Sequence, residues 1–115
     1  MLWYDIGRNH ALKLCKMKHL PTAIICPNQT ISLGAWQGIT ESGMKIPENI
    51  SVIGYDVPEW ANPYLTTLIQ PEIEMSESAG KLLLEQLAHG ITQSREMIFK
   101  VRIEERGSCS QAKIR

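Results

Sequence analysis

Apolar residues in this chain fall into short unbroken runs, separated by stretches in which they recur every three or four positions. Thr22-Ala-Ile-Ile-Cys26 is one run, closed by Pro27-Asn28, and Ser51-Val-Ile-Gly-Tyr55 is another, closed by Asp56. Runs this short and this apolar read as strands. Between them Ile31, Ala35, Trp36 and Ile39 repeat at helical spacing, with Thr30 expected as the cap and Gly43 as the stop. A strand–helix–strand crossover of this length makes the two strands parallel, with a right-handed connection. Their carboxyl ends then share one rim of the sheet, the rim at which open α/β sheets bind small ligands. Asn28, an amide, and Asp56, a carboxylate, stand at those two ends and are candidate binding residues; the alternative readings are a cap on the next helix for Asn28 and a cap on the loop opened by Val57-Pro58 for Asp56.

The rest of the chain continues the alternation. Gly7 to about Lys18 carries Ala11, Leu14, Cys15 and Met17 near helical spacing, and Pro21 is expected to end that helix. Asp56 to Tyr64, rich in Pro and Asn, reads as a loop, and Leu65-Thr-Thr-Leu-Ile-Gln70 as a short strand. Gln70 can turn its amide to the cleft or to the hinge backbone, which makes it a third candidate. Pro71 suits the first turn of a helix running to about His89, with Gly90 behind it, and Met75, Ala79, Leu82, Leu83 and Leu87 form one stripe along it. Phe99, Val101 and Ile103 alternate with Lys100, Arg102 and Glu104, as in a strand with one buried face. Residues 110–115 read as a frayed tail. The class is α/β, with a largely parallel sheet and helices on both faces. Two long buried strands are few for such a sheet, so residues 1–109 read as part of a larger domain.

At 115 residues, 43% hydrophobic and 21% charged, the composition is that of a globular protein and not of a disordered tail. Twelve basic residues balance twelve acidic ones, which gives no electrostatic footprint for gripping a nucleic-acid backbone. Cys15, Cys26 and Cys109 form no Cys-x-x-Cys pair and read as small buried thiols of a reducing compartment. The amino end lacks the pattern of an export signal and no apolar run approaches a membrane span, so the expected location is cytoplasmic, without a membrane partner. His10, His19 and His89 have no metal-ligand spacing, and no nucleophile elbow, phosphate-binding glycine loop or paired carboxylates occur. Neither an enzyme nor a cofactor is expected.

Several segments in series resemble the effector-binding domain of the lactose-repressor/galactose-repressor family of bacterial transcription regulators. They are Pro21-Thr-Ala-Ile-Ile-Cys-Pro-Asn28, Leu33-Gly-Ala35, Ser42-Gly43, Ile46-Pro-Glu-Asn-Ile-Ser-Val-Ile-Gly-Tyr-Asp56, Leu65-Thr-Thr67, Gln70-Pro71 and Arg106-Gly-Ser-Cys109. The resemblance implies a periplasmic-binding-protein-like fold, here chiefly the second half of the carboxy-terminal lobe, with Leu65 to Gln70 crossing between lobes and helix 71–90 packing on the other lobe. It implies a small effector, most often a sugar, held in the cleft by Asn28 and Asp56, and DNA contact only through a domain missing from this chain. It also assigns Leu33, Trp36, Trp60 and Tyr64 to a dimer interface, and implies self-association. The family usually has Asp directly after the residue matching Asn28; this chain has Gln29, a neutral side chain that can also donate. The carboxy-terminal part of a sugar-type solute-binding protein of a transporter, which shares the fold, is the alternative reading.

Overall fold

Both apolar runs become strands, and the helical repeat between them becomes a helix. The computed structural model describes residues 2–91 and 93–113. In chain order its elements are α1 (Trp3–Leu14), β1 (Ala23–Ile25), α2 (Gln29–Glu41), β2 (Ser51–Tyr55), β3 (Thr67–Ile69), α3 (Glu72–His89) and β4 (Arg102–Glu104). They divide into two units: one runs to Ile69 and resumes at Ile103, and the other spans Gln70–Arg102.

In the first unit the strands lie in the order β1-β2-β3-β4. The β1–β2 pair is parallel, with Ile24 beside Val52 and Ile25 beside Ile53, and β2–β3 is parallel with Tyr55 beside Leu68. Side chains alternate across a strand, so this register puts Ile25, Ile53, Tyr55 and Leu68 on one face and Val52, Gly54 and Thr67 on the other. The second face lies under α2, because a Cβ at Gly54 would meet Ser32 Oγ at 3.1 Å. There Ala35, Ile39, Val52, Val57 and Leu65 form the core. On the opposite face Ile25 is 69% exposed.

Helix α1 packs on α2 through glycines. A Cβ at Gly34 would run into the carbonyl of Tyr4, and one at Gly7 into the carbonyl of Ile31. The backbones can approach this closely only where no side chain intervenes. An ion pair between Arg8 and Glu41, at 2.5 Å, also joins the two helices.

Five sequence expectations are corrected. Helix α1 begins at Trp3 and ends at Leu14, well before Pro21; the stretch Lys16-Met-Lys-His19 is exposed, Met17 included, so no burial extends the helix, and the chain leaves it in tight turns (Lys16 N–H to Lys13 O, 3.1 Å). The cap of α2 is Asn28 rather than Thr30. The alternating pattern from Phe99 to Glu104 yields only a three-residue strand, and the face expected to be buried is covered only in part: Phe99 is half-buried, whereas Ile103 is 61% exposed. Of the three thiols Cys26 is buried, Cys15 half-buried and Cys109 exposed. The segment after Cys109 is also tied at its start, since Ser110 N–H donates to Ser51 Oγ at 3.1 Å. Residues 114–115 of the expected tail lie outside the described residues.

The second unit is built on α3, which opens after Pro71 and closes at Gly90, whose φ of 78° is open to glycine at little cost. No residue of α3 is buried, and Leu87 of its apolar stripe is 75% exposed. An exposed ion pair joins Arg95 to Glu85 at 2.9 Å.

Candidate functional site

The parallel register brings the ends of β1 and β2 to one rim. Cys26 N–H donates to Ile53 O at 2.8 Å, extending the ladder one residue beyond β1. Asn28 follows two residues later with extended backbone (φ −156°, ψ 169°), and its side-chain oxygen accepts from Ile31 N–H at 2.8 Å. That bond satisfies one of the free donors at the start of α2. The oxygen of Asn28 is therefore engaged in capping, while its NH2 group can still donate. The residue is half-buried.

Asp56 follows the last residue of β2. Its N–H donates to Leu68 O at 2.8 Å, and its φ of 51° lies in the left-handed region, which Asp tolerates better than most residues. The turn directs the chain away from the sheet at this residue, leaving Asp56 half-buried at the rim. Gln70 belongs to the second unit: it is half-buried, and its carbonyl accepts from Glu72 N–H at 2.9 Å. The first unit thus brings together Asn28 and Asp56 on neighbouring strand ends.

Ser32, which the sequence reading passed over, connects the two. Its hydroxyl donates to the Asn28 carbonyl at 2.6 Å and lies 3.4 Å from the N–H of Tyr55, the residue before Asp56. It has no exposed surface. Close by, burial pushes the Cys26 thiol up to about 11, with a hydrogen bond to Ser32 opposing the rise. At neutral pH that thiol is protonated and a poor nucleophile. Among the described residues no cluster of His, Cys, Asp and Glu could hold a metal ion. The rim offers neutral donors and one carboxylate acceptor, a set that suits hydroxyl groups and not a phosphate.

Beyond Asp56 the loop to Tyr64 carries the expected interface residues. Tyr64, Leu33 and Trp36 line one shallow groove of about 450 Å³, together with Tyr4, Ala61 and Pro63. Leu33 and Trp36 are half-buried against the core, whereas Trp60 is 84% exposed. The loop is held from outside its own sequence. Val57 N–H donates to Thr67 Oγ1 at 3.1 Å, and the Arg106 guanidinium donates to the carbonyls of Val57 at 2.7 Å and Asn62 at 3.2 Å. Ser108, two residues on, is buried between β2 and β3; it accepts from Thr66 N–H at 2.8 Å and donates to Val52 O at 2.5 Å. Arg106 and Ser108 were legible only as letters of a motif, because their partners stand some forty to sixty positions upstream.

The periplasmic binding protein-like domain matches residues 2–109. The HTH-type transcriptional repressor PurR of Vibrio atlanticus is 41% identical over 78 residues, 65% of this chain and 23% of that protein. The chain thus spans about a quarter of the length of the curated relatives it matches. A LacI family transcriptional regulator from Enterococcus faecalis, solved with bound ribose, superposes with a TM-score of 0.83 at 31% identity, over 98% of this chain and 43% of that one. A LacI-type regulator from Bacillus cereus subsp. cytotoxis shares the fold with a TM-score of 0.87 at 20% identity, over 96% of this chain and 40% of that one.

Proposed function

The chain belongs to the periplasmic binding protein-like family, in the branch formed by the effector domains of LacI-type transcriptional regulators, and on that premise we propose that its rim senses a small neutral polyhydroxylated metabolite, a sugar first of all. One observation carries the reading: Asn28 and Asp56 stand on adjacent parallel strand ends, with Ser32 bridging the Asn28 carbonyl and the N–H of Tyr55, the residue before Asp56. The Asp56 carboxylate accepts from two neighbouring hydroxyls and the Asn28 NH2 donates to a third; Gln70, in the second unit, is proposed by itself as a ligand-binding residue. Charge-assisted bonds of this kind contribute about 1.5–3 kcal/mol each. The E. faecalis regulator with bound ribose supports this class of effector.

In this proposal the parent protein is a cytoplasmic repressor that contacts DNA through a segment outside these 115 residues, and the effector alters lobe closure and so DNA affinity. The chain supplies the second half of the carboxy-terminal lobe, the crossing strand and the helix after it. Leu33, Trp36, Trp60 and Tyr64 contribute to a subunit interface, a role supported by the exposed Trp60 and the apolar groove beside it.

A thermal-shift screen of sugars, phosphosugars and nucleobases on the full-length parent, followed by calorimetry, tests the effector class. A sugar hit lost in Asp56→Asn supports it, and stabilisation by phosphosugars alone overturns it. The isolated chain should bind weakly. If half the contacts of a micromolar effector are missing, about 4 kcal/mol remains, or roughly millimolar affinity. Light scattering tests self-association, with a monomer at high concentration counting against it.

A further inference from the structure

The loop after Asp56 is ten residues of irregular backbone with few bonds of its own. Ala61 and Asn62 N–H groups both turn back to Pro58 O, at 3.0 and 3.2 Å, and Tyr64 N–H donates to Asn62 Oδ1 at 2.9 Å. Such a segment holds one shape only if something outside it fixes its ends. Arg106 does so with one atom: its Nη1 donates to Val57 O, next to Asp56, and to Asn62 O, two residues before Tyr64. Its Nη2 donates to Glu104 at 2.5 Å, and the side chain is only 8% exposed. A cation this buried is tolerated because both terminal nitrogens of its fork donate to oxygens, one of them a carboxylate. Its backbone N–H is fixed as well, to Thr66 Oγ1 at 3.0 Å, so the guanidinium is mounted on the sheet itself.

We infer that Arg106 is the positioning residue of the effector rim: it locks the loop at Val57 and at Asn62, so that Asp56 at one end and the aromatic groove at the other move as a single piece. The inference rests on the effector reading above for what Asp56 binds, but the clamp itself is a property of the loop. Arg106 touches no ligand in this scheme and acts through Val57. A lysine could donate to these oxygens only as a point charge on a flexible stem, without the fixed fork that spaces the two carbonyls and the carboxylate. A force on the groove, such as docking of a second subunit, would therefore reach Asp56 through Arg106, beside the Val57 N–H bond to Thr67 Oγ1 that holds the same end of the loop.

Hydrogen exchange and amide NMR on the full 115-residue chain test this, comparing wild type with Arg106→Gln and Arg106→Lys. Expected in Arg106→Gln is a loss of protection in residues 57–64 of about tenfold or more, what one lost charge-assisted hydrogen bond would give. Protection in α1, α2 and β1 should stay within about twofold. Ribose at high millimolar concentration is the binding probe. Shifts at the Asp56 amide should need about tenfold more ribose in Arg106→Gln, with Arg106→Lys recovering part of the difference. Unchanged loop protection, or loss spread evenly over the whole unit, overturns the inference, as does a ribose response that is present in wild type and equal in all three proteins. Should Arg106→Gln fail to fold, Arg106→Lys decides alone: a loop as protected as wild type overturns the clamp. Absence of any ribose shift in wild type counts against the effector reading, while the exchange data still decide whether Arg106 holds the loop.

Discussion

The hydroxyl of Ser32 donates to the carbonyl of Asn28 at 2.6 Å, the same carbonyl that accepts the Ser32 N–H at 3.0 Å. One buried side chain thereby fixes where α2 leaves the rim, and the Tyr55 N–H 3.4 Å away ties that point to the end of β2. Replacing Ser32 by Ala leaves polar groups at this junction short of a partner. The expected cost is about 1–3 kcal/mol in urea unfolding, and ribose binding by the parent should weaken, because the spacing of Asn28 and Asp56 is no longer fixed.

Asn28 carries two roles that separate by substitution. Its oxygen caps α2, so Asn28→Ala should cost about 1 kcal/mol of stability, whereas Asn28→Ser and Asn28→Asp should retain most of it. Only the NH2 group is available to an effector hydroxyl, and all three substitutions remove it. Calorimetry on the parent should show weakened sugar binding in Asn28→Ser at nearly wild-type stability. Unchanged affinity there would restrict Asn28 to capping.

At Gly34 the constraint is steric. A methyl group would overlap the Tyr4 carbonyl, which is backbone and cannot rotate aside. Gly34→Ala should therefore push α1 from α2 and destabilise by about 1–3 kcal/mol in chemical denaturation, although alanine is the better helix former. Gly80 of α3 has open space around its Cβ position, and Gly80→Ala should stabilise slightly or not at all.

How far the letters reached depends on how local each signal is. Strand β2 came out with its bounds as read from Ser51 to Tyr55, because an unbroken apolar run between Asn49 and Asp56 leaves little choice. The stop at Gly43 was equally plain, and its φ of 82° bears that out. What could not be read were contacts between distant segments. Nothing in Gly7 or Gly34 says that two helices cross there, and nothing in Arg106 says that it will hold Val57 and Asn62. The capping error had a different source: Asn28 and Thr30 are both good caps, and only the extended backbone at Asn28 decides between them. The strand from Phe99 failed because alternation states a preference for burial, and burial also needs a covering layer.

Acid stability should depend on the link between α1 and α2. Hydrogen bonds from Arg8 and then Gln37 hold the Glu41 carboxyl below its usual range. A carboxylate with a lowered folded-state pKa adds stability that is fully present above its unfolded value, about 4.3, and lost as pH falls through the folded one. Glu41→Gln should flatten that acid limb and leave stability at pH 7 only slightly lower, because the pair is exposed. Thermal melts from pH 7 down to pH 3, for wild type and variant together, measure the difference.

The alkaline limb should belong to Cys26. Burial raises its thiol to about 11 in the folded chain, whereas an unfolded cysteine ionises near 8.5. The unfolded state therefore gains from ionisation first. Stability is intact below about pH 8 and falls as pH rises toward the folded value, by about 3 kcal/mol or slightly more at most. The comparison that isolates the thiol is the slope of stability against pH in wild type and in Cys26→Ala. The variant loses a few core contacts at every pH but should show the shallower slope above pH 9. Alkylation gives a second reading on the same protein. Iodoacetamide at pH 8 should modify the exposed Cys109 first and half-buried Cys15 more slowly, and reach Cys26 only in denaturant. Rapid modification of Cys26 in the native chain would mean that the junction of β1 and α2 opens on its own, and that Asn28 is not held at the rim.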